Sequence, residues 1–245
     1  MSPVKQEKIQ NHYDAVADTY DHHYDHHRGR NYHTHISAAM MSALPAGGNL
    51  LDIGCGTGLF VRKYTDKGGM ATGLDISRRM IEQARKRCPE SEFTVGTGEK
   101  IPFRENTFNA VSSLLVFSYV RDPAGMLAET YRVLQPGGAI SLCTLGKKFI
   151  TRGIPAIYQI SEKINFKHVV MKDFGEHYYN EKEMYELFSR AGFEDIRIRW
   201  CSFAHIDMVD PLYNLASRME PFVERRIPQL AYNICASGKK PLDAE

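Results

Sequence analysis

The sequence lacks the features that mark membrane-embedded, secreted or nucleic-acid-coating proteins. Its longest mostly apolar stretch, Ile36 to Ala46, is far short of the roughly 20 residues needed to span a bilayer. The first ten residues, MSPVKQEKIQ, carry charges where a signal peptide needs an apolar core, so a cytoplasmic location is expected. Charge of one sign is also missing. Lysine and arginine total 31 against 29 acids, and a net charge of +2 gives no field that would select nucleic acid or an anionic membrane. Cysteine is sparse: Cys55, Cys88, Cys143, Cys201 and Cys235 are odd in number, widely spaced and contain no C-x-x-C pair, so spacing suggests neither a disulfide framework nor a zinc site. No internal repeat and no low-complexity linker divides the chain.

What is present is a chain of 245 residues, 43% hydrophobic, long enough for one well-buried core and cramped for two. From Leu50 onward short apolar runs alternate with amphipathic stretches, the pattern of βα units wound into a parallel sheet. Strands are expected at Asn49–Ile53, Met70–Leu74, Glu92–Val95, Ala110–Val116 and Ala139–Leu145. Between them lie helices over Leu59–Lys67, over the segment that Ser77 caps and that ends before Pro89, and over the segment that Asp122-Pro123 opens and that ends before Pro136-Gly137-Gly138. An Asn180-x-x-Glu183 capping box starts a helix that closes at Gly192. Phe193–Phe203 supplies strand six, a helix fits Pro211–Arg226, and Leu230–Ser237 supplies strand seven. Between Gly146 and Glu176 the periodicity fails while aromatic residues gather among lysines, as in an inserted, partly helical segment.

The chemistry concentrates at Leu51-Asp-Ile-Gly-Cys-Gly-Thr-Gly58, where Gly54, Gly56 and Gly58 stand between a strand and a helix. Glycine lets backbone approach a ligand closely, and free N–H groups at a helix start favour an anionic portion such as a carboxylate. Leucine at position 59 breaks the G-x-G-x-x-G spacing of a dinucleotide loop. Asp75, closing the second strand, has two readings: its carboxylate accepts both hydroxyls of a ribose, or it caps the next helix, a task for which Ser77 is also available.

With its order and spacing of LLDIGCGTG, GLDIS, GTGEKIPFRENTFNAV, FSYVRDP and ETYRVLQPGGAISL, the sequence resembles class I S-adenosylmethionine-dependent methyltransferases over about residues 10–200, particularly their quinone-biosynthesis and small-molecule members. The resemblance implies a doubly wound, Rossmann-like α/β fold: a seven-stranded sheet of order 3-2-1-4-5-7-6 with the last strand antiparallel. It forms one domain over 1–245, with an N-terminal helical lid over 1–45 and a substrate-side insertion over 146–176. It implies S-adenosyl-L-methionine as cofactor, with Asp52, Gly54, Cys55, Gly56 and Gly58 around its methionine portion, Asp75 on the ribose, and Ile76 with Met80 beside the adenine. Thr97, Gly98 and Glu99 would follow the adenine edge, and Leu114 and Leu115 would complete the wall. Thr97 stands where the family usually has aspartate, which leaves a hydroxyl or a backbone carbonyl to take the carboxylate's place. The N-terminal Tyr13-Asp14 and Tyr20-Asp21 pairs match a covering helix of the family, in which tyrosines seven residues apart, about two turns, face the ligand together.

The implied reaction is methyl transfer to a small organic acceptor by in-line displacement, with no nucleic acid partner and no resident metal. A general base is needed only where the acceptor must lose a proton. Candidates are His177, Tyr178 and Tyr179, and the lid histidines His22, His23, His26 and His27, whose i, i+4 spacing also permits a shared metal ion. Arg28 and Arg30 are placed to meet an acid or to sit in solvent. Two rivals stay open: an NAD-type oxidoreductase, against which Leu59 argues, and a nucleoside-binding member that acts through protein contacts without turnover.

Overall fold

The computed structural model describes residues 3–147, 175–204, 206, 208 and 210–243. Most of the expected 146–176 insertion therefore lies outside the described residues. Seven strands form one sheet in the order β3-β2-β1-β4-β5-β7-β6. They are β1 (Asn49–Ile53), β2 (Met70–Asp75), β3 (Glu92–Val95), β4 (Phe108–Leu114), β5 (Leu134–Leu145), β6 (Glu194–Cys201) and β7 (Asn233–Lys239). The first five run parallel, and β7 lies antiparallel to both β5 and β6, as expected. Strands β1 and β4 are buried on both faces because helices cover the sheet on either side, which is why they read as nearly continuous apolar runs.

The helices begin where the sequence provides caps. Ser77 Oγ accepts from Met80 N at 3.0 Å and starts α5 (Arg78–Arg87); Asp122 caps α6 (Pro123–Val133) through Gly125 N. Asn180 and Glu183 exchange the two bonds of a capping box at the start of the helix Glu181–Arg190. α4 (Leu59–Thr65) follows directly from the glycine loop and stops two residues short of the expected Lys67.

Several boundaries differ from expectation. β5 starts at Leu134, since the Pro136–Gly138 segment continues the strand after a bulge between the Phe108 and Ala110 pairings. β4 stops at Leu114 because Leu115 turns into the left-handed region at φ 60°. A short 3-10 turn at Pro228–Leu230 delays β7, and the helix over the Pro211 segment begins at Asp210 and carries Pro221 internally.

One core cluster, built around Leu51, Ile53, Phe108, Val111, Met126 and Phe188, packs α6 and the Glu181–Arg190 helix onto one face of the sheet. A second, with Ile36, Met40, Leu50, Phe60 and Ile81, packs α3 (His27–Met41), α4 and α5 onto the other. β1 sits between β2 and β4, where the connections leave for opposite faces. A crevice opens there at the carboxyl ends of the strands.

Candidate cofactor site

The loop after β1 turns through three left-handed glycines, Gly54, Gly56 and Gly58, at φ of 72°, 53° and 83°. Gly54 and Cys55 both donate their N–H to Leu74 O, at 2.6 and 3.0 Å, which fastens the loop to the neighbouring strand. A Cβ on Gly54 would stand 2.2 Å from Val116 Cγ2, so glycine is required there by space as well as by backbone. Beside it, Gly56 leaves an opening: a Cβ there would meet nothing nearer than Tyr20 at 4.0 Å.

Asp75 faces this opening from the end of β2. Its Oδ2 accepts from Gly56 N and its Oδ1 from Ser77 N, each at 2.8 Å, so each oxygen keeps lone pairs for a ligand hydroxyl. Ser77 is the helix cap, and Asp75 orders the backbone on either side of the crevice. Burial pushes the Asp75 carboxyl up to about 6, against the downward pull of the Ser77 and Gly56 amides; Asp14 adds a further upward push.

A cavity of about 1090 Å³, including its open mouth, extends from Gly54, Gly56 and Asp75. Tyr13, Tyr20, Ile76, Met80, Thr97, Gly98, Glu99, Leu114 and Leu115 line it as well, so twelve expected residues share one space. Asp52, Cys55 and Gly58, expected around the methionine portion, are not among the residues lining it. Asp52 is 2% exposed beneath the loop and accepts from Ser112 Oγ at 2.7 Å; burial raises its carboxyl to about 7 against that bond. Cys55 is packed toward Gly73, and Gly58 toward Ala84. All three support the loop from behind.

The N-terminal segment is built differently from one long helix. α1 (Pro3–Val16) ends before Tyr20, and successive turns carry the chain through α2 (His22–Asp25). Tyr13 and Tyr20 nevertheless meet edge to face at 6.2 Å, and Tyr24 stacks on at 5.8 Å, its hydroxyl sharing a hydrogen bond with that of Tyr20. Three aspartates pin this segment to the cofactor half. Asp14 accepts from Ser77 Oγ (2.6 Å) and Arg79 N (3.1 Å), Asp18 from Arg79 (2.5 Å) and Gln83 (2.6 Å), and Asp21 from Thr57 Oγ1 (2.6 Å) and from Arg87.

None of the proposed bases lines the cavity. His177 is exposed, 3.9 Å from Glu183; Tyr178 is exposed; Tyr179 is buried in the core with its ring against Phe117. His26 caps α3 through Gly29 N, His27 packs on Tyr213, and the four lid histidines are not among the described groups of three or more converging His, Cys, Asp or Glu side chains. Arg28 is tied to Ile206 O and Asp210, and Arg30 to Asp25 O, so neither reaches the cavity. Sequence reasoning missed Gln6, Ile9, Tyr24, Tyr119, Val120 and Arg121 in the lining. Tyr119 to Arg121 belong to the FSYVRDP block already singled out; Gln6 and Ile9 carry no local signal, since only the docking of α1 brings them in.

A family profile described as a methyltransferase domain matches residues 51–142. The chain is 25% identical over 186 residues to the demethylmenaquinone methyltransferase of Tropheryma whipplei, covering 71% of this chain and 78% of that one. It is 30% identical over 172 residues to the ubiquinone/menaquinone biosynthesis C-methyltransferase of Desulfotalea psychrophila, covering 63% and 69%. Among solved structures, a SAM-dependent methyltransferase of Thermotoga maritima, described as a possible histamine N-methyltransferase, superposes with a TM-score of 0.69 at 23% identity over 95% of this chain and 99% of that one. Fold, loop and relatives agree: this chain belongs to the class I S-adenosylmethionine-dependent methyltransferases, and its cofactor is S-adenosylmethionine.

Proposed function

We propose that the chain transfers a methyl group, by in-line displacement, to a small lipophilic acceptor with a polar or anionic end. The observation that carries this reading is one cavity whose lining joins the Gly54–Gly56 loop and Asp75 with the apolar Ile9, Tyr119 and Val120 and with Arg121. In this reading Asp75 receives the ribose hydroxyls, Gly54 and Gly56 admit the methionine portion, Ile76 and Met80 flank the adenine, and Thr97 to Glu99 follow its edge. Residues 1–45 act as the cover of a single domain, and the quinone-methylating relatives are consistent with a greasy acceptor.

Bound S-adenosylmethionine supplies an already activated methyl group, which leaves the protein the tasks of aligning the acceptor and excluding water. The described cavity lining contains no histidine, lysine or cysteine. Its tyrosines, Tyr13, Tyr20, Tyr24 and Tyr119, are all held above the ordinary phenol range by burial, so at neutral pH they are hydrogen-bond donors and apolar walls. Arg121 pairs with Glu99 at 3.5 Å and stays partly exposed, placed to meet an acceptor's anionic end. Incubating a metabolite extract with the enzyme and methyl-labelled cofactor tests the proposal. Label in a lipophilic small molecule is expected; label confined to protein or nucleic acid, or no label at all, contradicts it.

A further inference from the structure

Three of the five cysteines, scattered in sequence, converge on one face of the sheet. Cys143 on β5 and Cys235 on β7 are register partners, and Cys201 ends β6 diagonally across from Cys235. All three are buried, at 0%, 3% and 1% exposure, and lie within the core cluster beneath α3. Cys201 Sγ stands 3.7 Å from Cys143 Sγ and 2.9 Å from Cys235 Sγ, with all three sulfurs within 4.8 Å of one another. None of them lines the cofactor cavity.

A trigonal ion with metal–sulfur bonds of about 2.3 Å holds its sulfurs about 4 Å apart. The observed triangle brackets that size, and widening the Cys201–Cys235 edge by roughly 1 Å requires only side-chain rotation. We propose that Cys143, Cys201 and Cys235 form a three-thiolate site for one thiophilic divalent cation of the zinc type, which staples β5, β6 and β7 together beneath α3. Binding replaces three S–H protons, released to solvent, with three metal–sulfur bonds. The resulting unit negative charge has a counterion: Arg199 is the register partner of Cys235 on the same face, and its guanidinium reaches Ser42 Oγ at 2.8 Å at the end of α3. A supporting donor is also present. Tyr32 Oη accepts from Asn233 Nδ2 at 2.8 Å and lies within electrostatic reach of Cys143 and Cys201, so its own hydroxyl proton is available to a thiolate. Cys143 O accepts from Leu115 N at 2.7 Å, which connects the thiol cluster to the cavity wall through a single backbone bond.

The site is buried, so the ion enters as the chain folds. The test is to unfold the full chain in guanidinium with a chelator and a phosphine reductant, then refold it with or without cadmium. Expected are one cadmium per chain, a sulfur-to-cadmium charge-transfer band, and three sulfur neighbours at about 2.3–2.6 Å in X-ray absorption. Replacing any one thiol, as in Cys143→Ser, Cys201→Ser or Cys235→Ser, should lower bound cadmium at least about tenfold, while Cys88→Ser should keep it. The wild-type sulfur count decides the matter even where a variant fails to fold. Substoichiometric uptake, a sulfur count of one or none, or a chain that takes up no cadmium yet becomes two hydrogens lighter in air through a Cys201–Cys235 disulfide would each overturn the proposal.

Discussion

The Gly56 amide donates to Asp75 Oδ2 at 2.8 Å, joining the glycine loop of β1 to the end of β2 across the mouth of the crevice. One carboxylate thereby fixes the loop that admits the ligand and faces the same space with its remaining lone pairs. Because burial holds Asp75 near 6, the group changes charge close to neutrality. Ribose hydroxyls donate to the carboxylate form, so cofactor affinity should fall as pH drops through about 6. Calorimetric titration at pH 5 and pH 8 checks this; equal affinities would remove Asp75 from the binding equilibrium.

Stability should respond to Asp52 in the opposite sense. Its folded value of about 7 lies above its ordinary 3.8, so the folded state holds its proton more tightly and loses stability as pH rises between those values. Asp52→Asn keeps an acceptor for Ser112 Oγ and removes the buried charge. The variant should be more stable than wild type at pH 8 by about 1–4 kcal/mol in denaturant unfolding, with the difference vanishing near pH 4. A variant less stable than wild type at pH 8 would show that the charge is compensated.

Gly54→Ala combines a left-handed backbone with a Cβ 2.2 Å from Val116 Cγ2. The expected cost is about 2–4 kcal/mol in denaturant unfolding, together with loss of cofactor binding. Gly68→Ala, also left-handed but with nothing within 4 Å of the added Cβ, should cost only about 1–2 kcal/mol.

The N-terminal segment proposed as the cover is held by charge, which makes it testable apart from the loop. Asp21→Asn weakens the bonds from Thr57 and Arg87, Asp21 and Arg87 being about a quarter exposed. Cofactor dissociation should accelerate by roughly 5–30-fold, equivalent to about 1–2 kcal/mol, with little change in melting temperature. Stopped-flow fluorescence of cofactor release measures it. An unchanged rate would mean that the cover opens without breaking this contact.

Much of this architecture was legible because local signals agreed with the global fold. Ser77, Asp122 and Asn180 each start a helix with the bond their side chains predict, and the strand runs fall in the expected order. What escaped was non-local. Leu115 leaves its strand because Cys143 O on the next strand captures its amide. Tyr13 and Tyr20 meet through a broken helix because Asp14, Asp18 and Asp21 are drawn to Ser77, Arg79, Gln83, Thr57 and Arg87. Tyr179, read as a candidate base, is a core residue because the strand-like bridge between Gly146 and Tyr179 turns it inward. The cysteine triangle is the clearest case: spacings of 58 and 34 residues carry no motif, and only the β5-β7-β6 order makes the thiols neighbours.

The central claim is that the Asp75-centred cavity holds S-adenosylmethionine, and calorimetric titration of a folded Asp75→Ala variant tests it most directly. Loss of two charge-assisted hydrogen bonds predicts an affinity lower by about 1–3 kcal/mol, or roughly 5–150-fold. Wild-type affinity in a variant shown by circular dichroism to be folded would contradict the account.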